Sequence, residues 1–223
     1  MFDNNFNKYT SLTLRNWQNL YKNSDELIVQ ASNKDGSDSW QEFPIGMSWQ
    51  YALCNTKNEK LQIGSHNNSI LCALIADTDS RRRPRGINRR SIIETLQKNS
   101  IINQHLNGND YFESLPNYKF VISPEGNGID CHRHYEALLA GCIPIMEHNS
   151  LIEEKYKGCP ILYTTDYSEI NEEYLNKIYT EMIDKEYDFS RLFMKYYNNE
   201  QITKIKDYGN FWVNRLTQKV WYD

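Results

Sequence analysis

Four short apolar runs constrain this chain more than any other feature of it. They are ILCALIA at 70–76, KFVIS at 119–123, CIPIM at 142–146 and PILY at 160–163. Helix-like segments lie between them, near Asn88–Lys98 and Asp130–Ala140. Each run has the length and turn-rich flanks of a buried strand, and strands alternating with helices build a parallel sheet covered on both faces. The expected fold is therefore α/β and Rossmann-like over residues 67–223. Two or three amphipathic helices are expected within Asn171–Val220.

Residues 1–66 read as a separate, polar N-terminal section. Leu14, Trp17, Leu20 and Tyr21 fall on one stripe and predict a helix from about Thr13 to Lys22. Glu26–Ala31 suits a short strand, and Ser32–Ser39 has the composition of a loop. Trp40, Phe43, Trp49 and Tyr51 follow. Such aromatics can stack on acceptor sugars, but more often they fill a core.

Composition excludes several classes. No apolar run approaches the roughly 20 residues of a membrane-spanning helix. The start, MFDNNFNKYT, lacks the basic flank and apolar centre of a signal peptide, so a cytoplasmic location is expected: host cytoplasm or virion if the source is viral. Five cysteines without a CxxC pair spell neither a zinc knuckle nor a redox motif. The net charge is −4, yet RRRPRGINRR at 81–90 carries six arginines and no acid. A compact cationic spot on an acidic body suits a small polyanion. Nucleic acid binding would normally spread basic residues over a whole face.

The segment with chemical content is FVISPEGNGIDCHRHYEALLAGCIPIM. A strand ends at Ser123, and Gly126 and Gly128 let the following loop approach a ligand closely. Asp130 is placed to cap a helix that stops at Gly141. The first turn of that helix faces the carboxyl end of the sheet, where open α/β folds bind ligands. Helix N-termini attract anions, and Arg133 adds a guanidinium there. Glu136 lies three residues on, about 4.5 Å further along the axis. One helix can thus offer arginine to a pyrophosphate and a carboxylate to ribose hydroxyls. His132 can hydrogen-bond a phosphate or the sugar. His134, on the other side, reads as a surface histidine. Glu125 either touches the donor sugar or simply sits near the positive helix end.

This segment resembles the donor-site motif of exostosin-like glycosyltransferases, with matches at Pro124, Gly126, Arg133, Glu136–Leu138 and Gly141–Ile145. The histidine before the arginine is similar to ribitol-phosphate xylosyltransferases and related giant-virus proteins. The resemblance implies a GT-B-like arrangement and transfer from a nucleoside-diphosphate sugar, with UDP expected, to a glycan or protein acceptor with inversion. It also implies that arginine meets the diphosphate and that no metal or other cofactor is required. Family members carry arginines after the first strand of this domain, a place held here by ADTDSRRRPRG, where Arg82 and Arg85 are the expected inward pair. Only about 66 residues precede that strand. The catalytic base is therefore sought in this short section, in the Asp77–Asp79 loop, or in a second chain of a homo-oligomer.

Asp77 and Asp79 also have the Asp-x-Asp form by which metal-dependent GT-A enzymes hold a divalent ion. Three readings stay open for them: general base, metal ligand or ordinary loop acid. A nucleotide or nucleic-acid binder using residues 81–90 is the non-enzymatic alternative, as is a degenerate domain that binds donor without transferring it.

Overall fold

The computed structural model describes residues 10–17, 19–20, 27–34, 40–57 and 64–223. Its centre is a four-stranded parallel sheet of β2 (Asn68–Leu71), β3 (Tyr118–Ile122), β4 (Ile143–Glu147) and β5 (Leu162–Thr164), paired in that order. Strands that pair in sequence order need a crossover between each pair. Helices α2 (Arg89–Lys98) and α3 (Gly108–Ser114) bridge β2 and β3. α4 (His132–Leu139) bridges β3 and β4, and α5 (Ser150–Lys155) bridges β4 and β5. The molecule is a mixed α/β structure with a parallel sheet flanked by helices.

Local chemistry sets the helix ends. Asn88 caps α2 by accepting from Ser91 N, while Ser91 returns a bond to the cap backbone, the reciprocal arrangement of a capping box. α4 ends where Gly141 takes φ +79, a left-handed conformation that favours glycine. Cys142 N then donates to Ala137 O at 2.8 Å.

The first predicted strand is shorter than the apolar run that announced it. β2 is an edge strand and stops at Leu71. Residues 72–74 remain buried, but they pair with the segment leading to α3: Gln104 N donates to Cys72 O, and Leu74 N donates to the Asn103 side chain. Apolar character fixed their burial, and a neighbouring amide side chain took the role of a sheet partner.

The N-terminal section differs more. The helix predicted from Thr13 is replaced by β1 (Ser11–Thr13) and short 3₁₀ turns at 14–17 and 19–20; residues 18, 21 and 22 lie outside the described residues. Leu14, Trp17 and Leu20 are buried as their stripe requires. The strand forms because β6 (Glu186–Asp188) offers an antiparallel edge, with Leu12 opposite Tyr187. Among the described residues 27–31 of the strand expected at 26–31, only bridges at Leu27 and Val29 form, since Gln30 has φ +52; Glu26 lies outside the described residues. Most of the loop read at 32–39 lies outside the described residues. A helix α1 (Trp49–Lys57) follows the aromatic stretch.

Described residues of this section share one buried core with the sheet, including Leu12, Trp17, Ile28, Phe43 and Tyr51. Tyr135 of α4 receives a bond from Ile28 N at 2.9 Å, and the Tyr222 hydroxyl receives one from Val29 N at 2.7 Å. The C-terminal part supplies α6 (Glu172–Met182) and α7 (Asn199–Thr217). Tyr179 of α6 packs edge-on against Phe120 of β3. Among the described residues no helix is long and apolar enough to cross a membrane.

Candidate functional site

A cleft of about 1050 Å³ opens at the carboxyl ends of the parallel strands. Ile75 and Thr78 after β2, residues 126–133 after β3, and Leu151 after β4 all line it. The N-terminal section closes another side through residues such as Ser48 and Gln50. Loops after successive strands converge here because parallel strands all end on one edge.

The start of α4 forms part of the wall. Asp130 was expected to cap this helix, and it does not. The cap position is Cys131, which makes no side-chain cap bond, so no side chain there competes for the amides of the first turn. Asp130 is instead gripped by Lys155 Nζ, the Tyr156 hydroxyl and Ile45 N, at 2.8, 2.8 and 3.0 Å. Burial alone would push its carboxyl up, but the Lys155 ammonium, His134 and these bonds outweigh that and hold it below the usual carboxylate range.

Arg133 and Glu136 both line the cleft, one turn apart. The Arg133 guanidinium lies 4.4 Å from the centre of the Tyr111 ring. Among the described residues it forms no ion pair with a carboxylate, and its Nη1, shielded from solvent, has no hydrogen-bond partner. A buried guanidinium nitrogen left this way is costly. Glu136 is 3% exposed and accepts from Ser48 N through Oε1 at 2.9 Å. His132 lines the cleft between the Gly46 carbonyl and the Gln30 side chain.

The arginine-rich loop divides sharply. Arg82 reaches the cleft, with Nε on Gly126 O at 3.2 Å and its guanidinium paired with Glu125. Arg85 is exposed and does not line the cleft. The expected inward pair of Arg82 and Arg85 is therefore corrected to Arg82 and Arg89. Arg89 is 5% exposed, lines the cleft, and donates to the carbonyls of Glu125 and Pro124 at 2.9 and 3.3 Å. Burial, and beyond it the neighbouring Arg133, lower its pKa; a guanidinium stays protonated all the same. The sequence signal for Arg89 was partial: Asn88 is a strong N-cap that starts a helix at the next residue, but packing decided which arginine of the cluster turns inward.

Asp77 and Asp79 do not enter the cleft. Asp77 points outward to Arg90 at 2.6 Å with its side chain 67% exposed. Asp79 is fully buried, accepting from the Arg83 guanidinium and Arg89 N. Turn positions two residues apart send the two carboxylates opposite ways, so they do not converge on one ion. Glu125 also stays off the cleft wall, tied to Arg82. Arg83 completes an inner network with Asp79 and Glu147 at 2.8 Å each.

Gly126 and Gly128 both line the cleft, for different reasons. A Cβ on Gly126 would stand 2.9 Å from Arg89 Nη2 and 3.1 Å from Cys131 Sγ. At Gly128 the nearest atom would be 3.6 Å away. Only at the first glycine would an added side chain crowd its neighbours. His134, expected at the surface, is 1% exposed. It bridges Ser123 Oγ and Ile129 O at 2.7 and 3.3 Å, which ties both ends of the loop to α4. Burial pushes its pKa down to about 4, so the ring is neutral at pH 7. Of the aromatics in 40–53, Tyr51 is a core residue, Trp49 packs against the core, Phe43 is buried yet lines the cleft, and Trp40 lines the cleft as well.

Fold and site together define an α/β protein with a cationic cleft at the carboxyl edge of a parallel sheet. The sequence matches no protein-family model and no curated protein.

Proposed function

We propose that this chain is a glycosyltransferase that binds a nucleoside-diphosphate sugar, with UDP as the nucleotide, in a GT-B-like donor site. The observation that carries this reading is Arg133, a guanidinium on the cleft wall with a ring beneath it and no described carboxylate against it. Arg89, whose pKa is lowered by burial and by the nearby Arg133, adds a second cation whose partners are backbone carbonyls. Two neighbouring cations at an uncapped helix start favour a ligand carrying more than one negative charge. Glu136, one turn along, suits the ribose hydroxyls beyond a diphosphate.

In the reaction proposed, an acceptor hydroxyl on a glycan or protein displaces the diphosphate from the anomeric carbon with inversion. Negative charge grows on the departing diphosphate, and Arg89, Arg133 and the amides of the first turn of α4 stabilise it. Fixed donors of this kind usually supply the largest share of such a rate enhancement. Asp77 and Asp79 point apart, which gives the metal-dependent alternative no support.

Thermal unfolding with UDP, UDP-sugars and GDP-sugars tests the reading. UDP and at least one UDP-sugar should raise the melting temperature without added metal, and Arg133→Ala should remove the shift. A protein that no nucleotide stabilises is not a donor-binding transferase.

A further inference from the structure

The cleft is divided by charge. Arg82, Arg89, Arg133, Asp130, Glu136 and Lys155 all come from the loops and helices that connect the parallel strands. Among the described residues, every side chain that the N-terminal section and α7 give to the cleft is uncharged. Asn33, Trp40, Gln41 and Gln50 stand on that wall from the first, and Trp212 from the second. At about 1050 Å³ the cleft lies at the top of the roughly 300–1,000 Å³ range of small-molecule sites, which leaves room beside a nucleotide.

Trp40 is the open ring of the uncharged wall, 37% exposed. One of its faces is covered by Lys155, whose Nζ lies 3.8 Å from the ring centre. The same ammonium pairs with Asp130 at 2.8 Å, three residues before Arg133, so Trp40 stands beside the start of α4. Among the described residues no other ring or cation lies against Trp40, and its indole N–H has no hydrogen-bond partner. Leu151, four residues before Lys155 and on the same face of α5, is 47% exposed and continues the apolar surface along the cleft. Amides border this surface. Gln41 donates from Nε2 to Asn33 Oδ1 at 2.9 Å, which leaves the Gln41 oxygen to accept. Trp212 is tied at its edge, its indole N–H donating to the carbonyls of Ser32 and Asn33 at 3.0 and 3.3 Å.

We infer that this wall is the acceptor subsite and that the acceptor is a neutral glycan, with a pyranose ring stacked on Trp40. The assignment rests on the donor reading. A pyranose presents an apolar face of C–H groups, which suits the negative face of an indole, and a rim of hydroxyls, which suits amides. The charge of the wall selects among other acceptors. An acidic glycan or acidic peptide finds no cation here, because the Lys155 ammonium is already matched by Asp130. A lipid chain would cover the Gln41 and Gln50 amides without pairing them, which is unfavourable.

Saturation-transfer NMR tests the assignment with methyl pyranosides of glucose, galactose, mannose and xylose as probes. Methyl glucuronide, a serine-containing peptide and hexanol are run beside them, each with and without UDP. At least one neutral pyranoside should bind, and Trp40→Ala should weaken it by about 3- to 10-fold. Trp40→Phe, which keeps an aromatic face, should retain more of the binding than Trp40→Ala. The UDP-induced melting shift should persist in both variants and reports that they are folded. Pyranoside binding unchanged in Trp40→Ala overturns the assignment, as does binding of the glucuronide, peptide or hexanol in place of every neutral pyranoside. Loss of the UDP shift in Trp40→Ala overturns it too, since the ring would then belong to the donor side or to the fold. The two arms fail separately: a normal UDP shift with no pyranoside bound refutes the subsite alone. Trp40-dependent pyranoside binding with no UDP shift refutes the donor reading and leaves a glycan site without transfer.

Discussion

Arg83 and Arg133 are the same residue type in two adjoining regions, and they do opposite things. Arg83, in the loop after β2, is enclosed by Asp79 and Glu147, with Glu125 close by. Burial alone would lower its pKa, but those carboxylates raise it. Arg133, at the start of α4, meets a tyrosine ring and no described carboxylate. The first is a rivet between the loop and β4; the second is a cation still able to attract an anion. Counting arginines does not find an anion site. Counting the negative charges already beside each one does.

Four experiments can break or sharpen this contrast. The largest effect is expected from Arg83→Ala, which leaves Asp79 buried and unpaired. Removing one partner of a buried pair costs about 3–5 kcal/mol. Urea unfolding should show that loss, while the folded variant still binds UDP. An Arg83→Ala protein of normal stability that cannot bind UDP would reverse the two roles.

Acid should act next, through His134 of α4, which ties the loop between the two regions to that helix. Its folded-state pKa of about 4 lies below the ordinary histidine value, so the unfolded chain binds more protons between those limits. Stability is complete above roughly pH 6.5 and falls as pH drops toward 4, by about 3 kcal/mol. His66, also lowered by burial, contributes with the same sign. Asp130, held below the usual range, adds a loss at still lower pH. His134→Gln should flatten most of the slope between pH 6.5 and 4 in urea unfolding, and an unchanged slope would show that the ring is not the group responsible.

Arg133→Ala should follow. A hydrogen bond to a charged group contributes about 1.5–3 kcal/mol, so UDP affinity by calorimetry should fall roughly 10- to 100-fold. The unliganded melting temperature should move far less than in Arg83→Ala. Arg133→Lys should recover only part of the affinity, since an ammonium cannot present a planar fork to a phosphate. The smallest change is expected from Asp77→Ala, an exposed acid outside the cleft. Neither stability nor UDP binding should shift measurably, with or without magnesium. Metal-dependent UDP binding that vanishes in this variant would restore the Asp-x-Asp reading.

Much of the fold was legible because its signals are local. Apolar runs with turn flanks located β3, β4 and β5 to within two residues at each end, and Asn88 and Gly141 marked helix ends through their own backbone preferences. The placement of Arg133 and Glu136 on one face also followed from helical spacing alone. Errors arose where an equally suitable partner lay far away in sequence. Leu14, Trp17 and Leu20 satisfy a helical stripe, yet β6, more than 170 positions later, drew the preceding residues into a strand. Asp130 has the chemistry of an N-cap, but Lys155 and Tyr156 offered its carboxylate stronger partners. The role of Arg89 lay inside a cluster of six similar residues, and only packing chose among them.

The sequence by itself determined a parallel α/β core, the helix that follows β3, and the one-turn spacing of a guanidinium and a carboxylate on it. Those follow from periodicity and short-range sterics, which each residue carries wherever it sits. Tertiary structure alone decided which charges neutralise one another, which arginines face the cleft, and how Gly46 and Gln30 orient His132. Electrostatic and hydrogen-bond partners are set by distances through space, and a linear order of residues does not contain those distances.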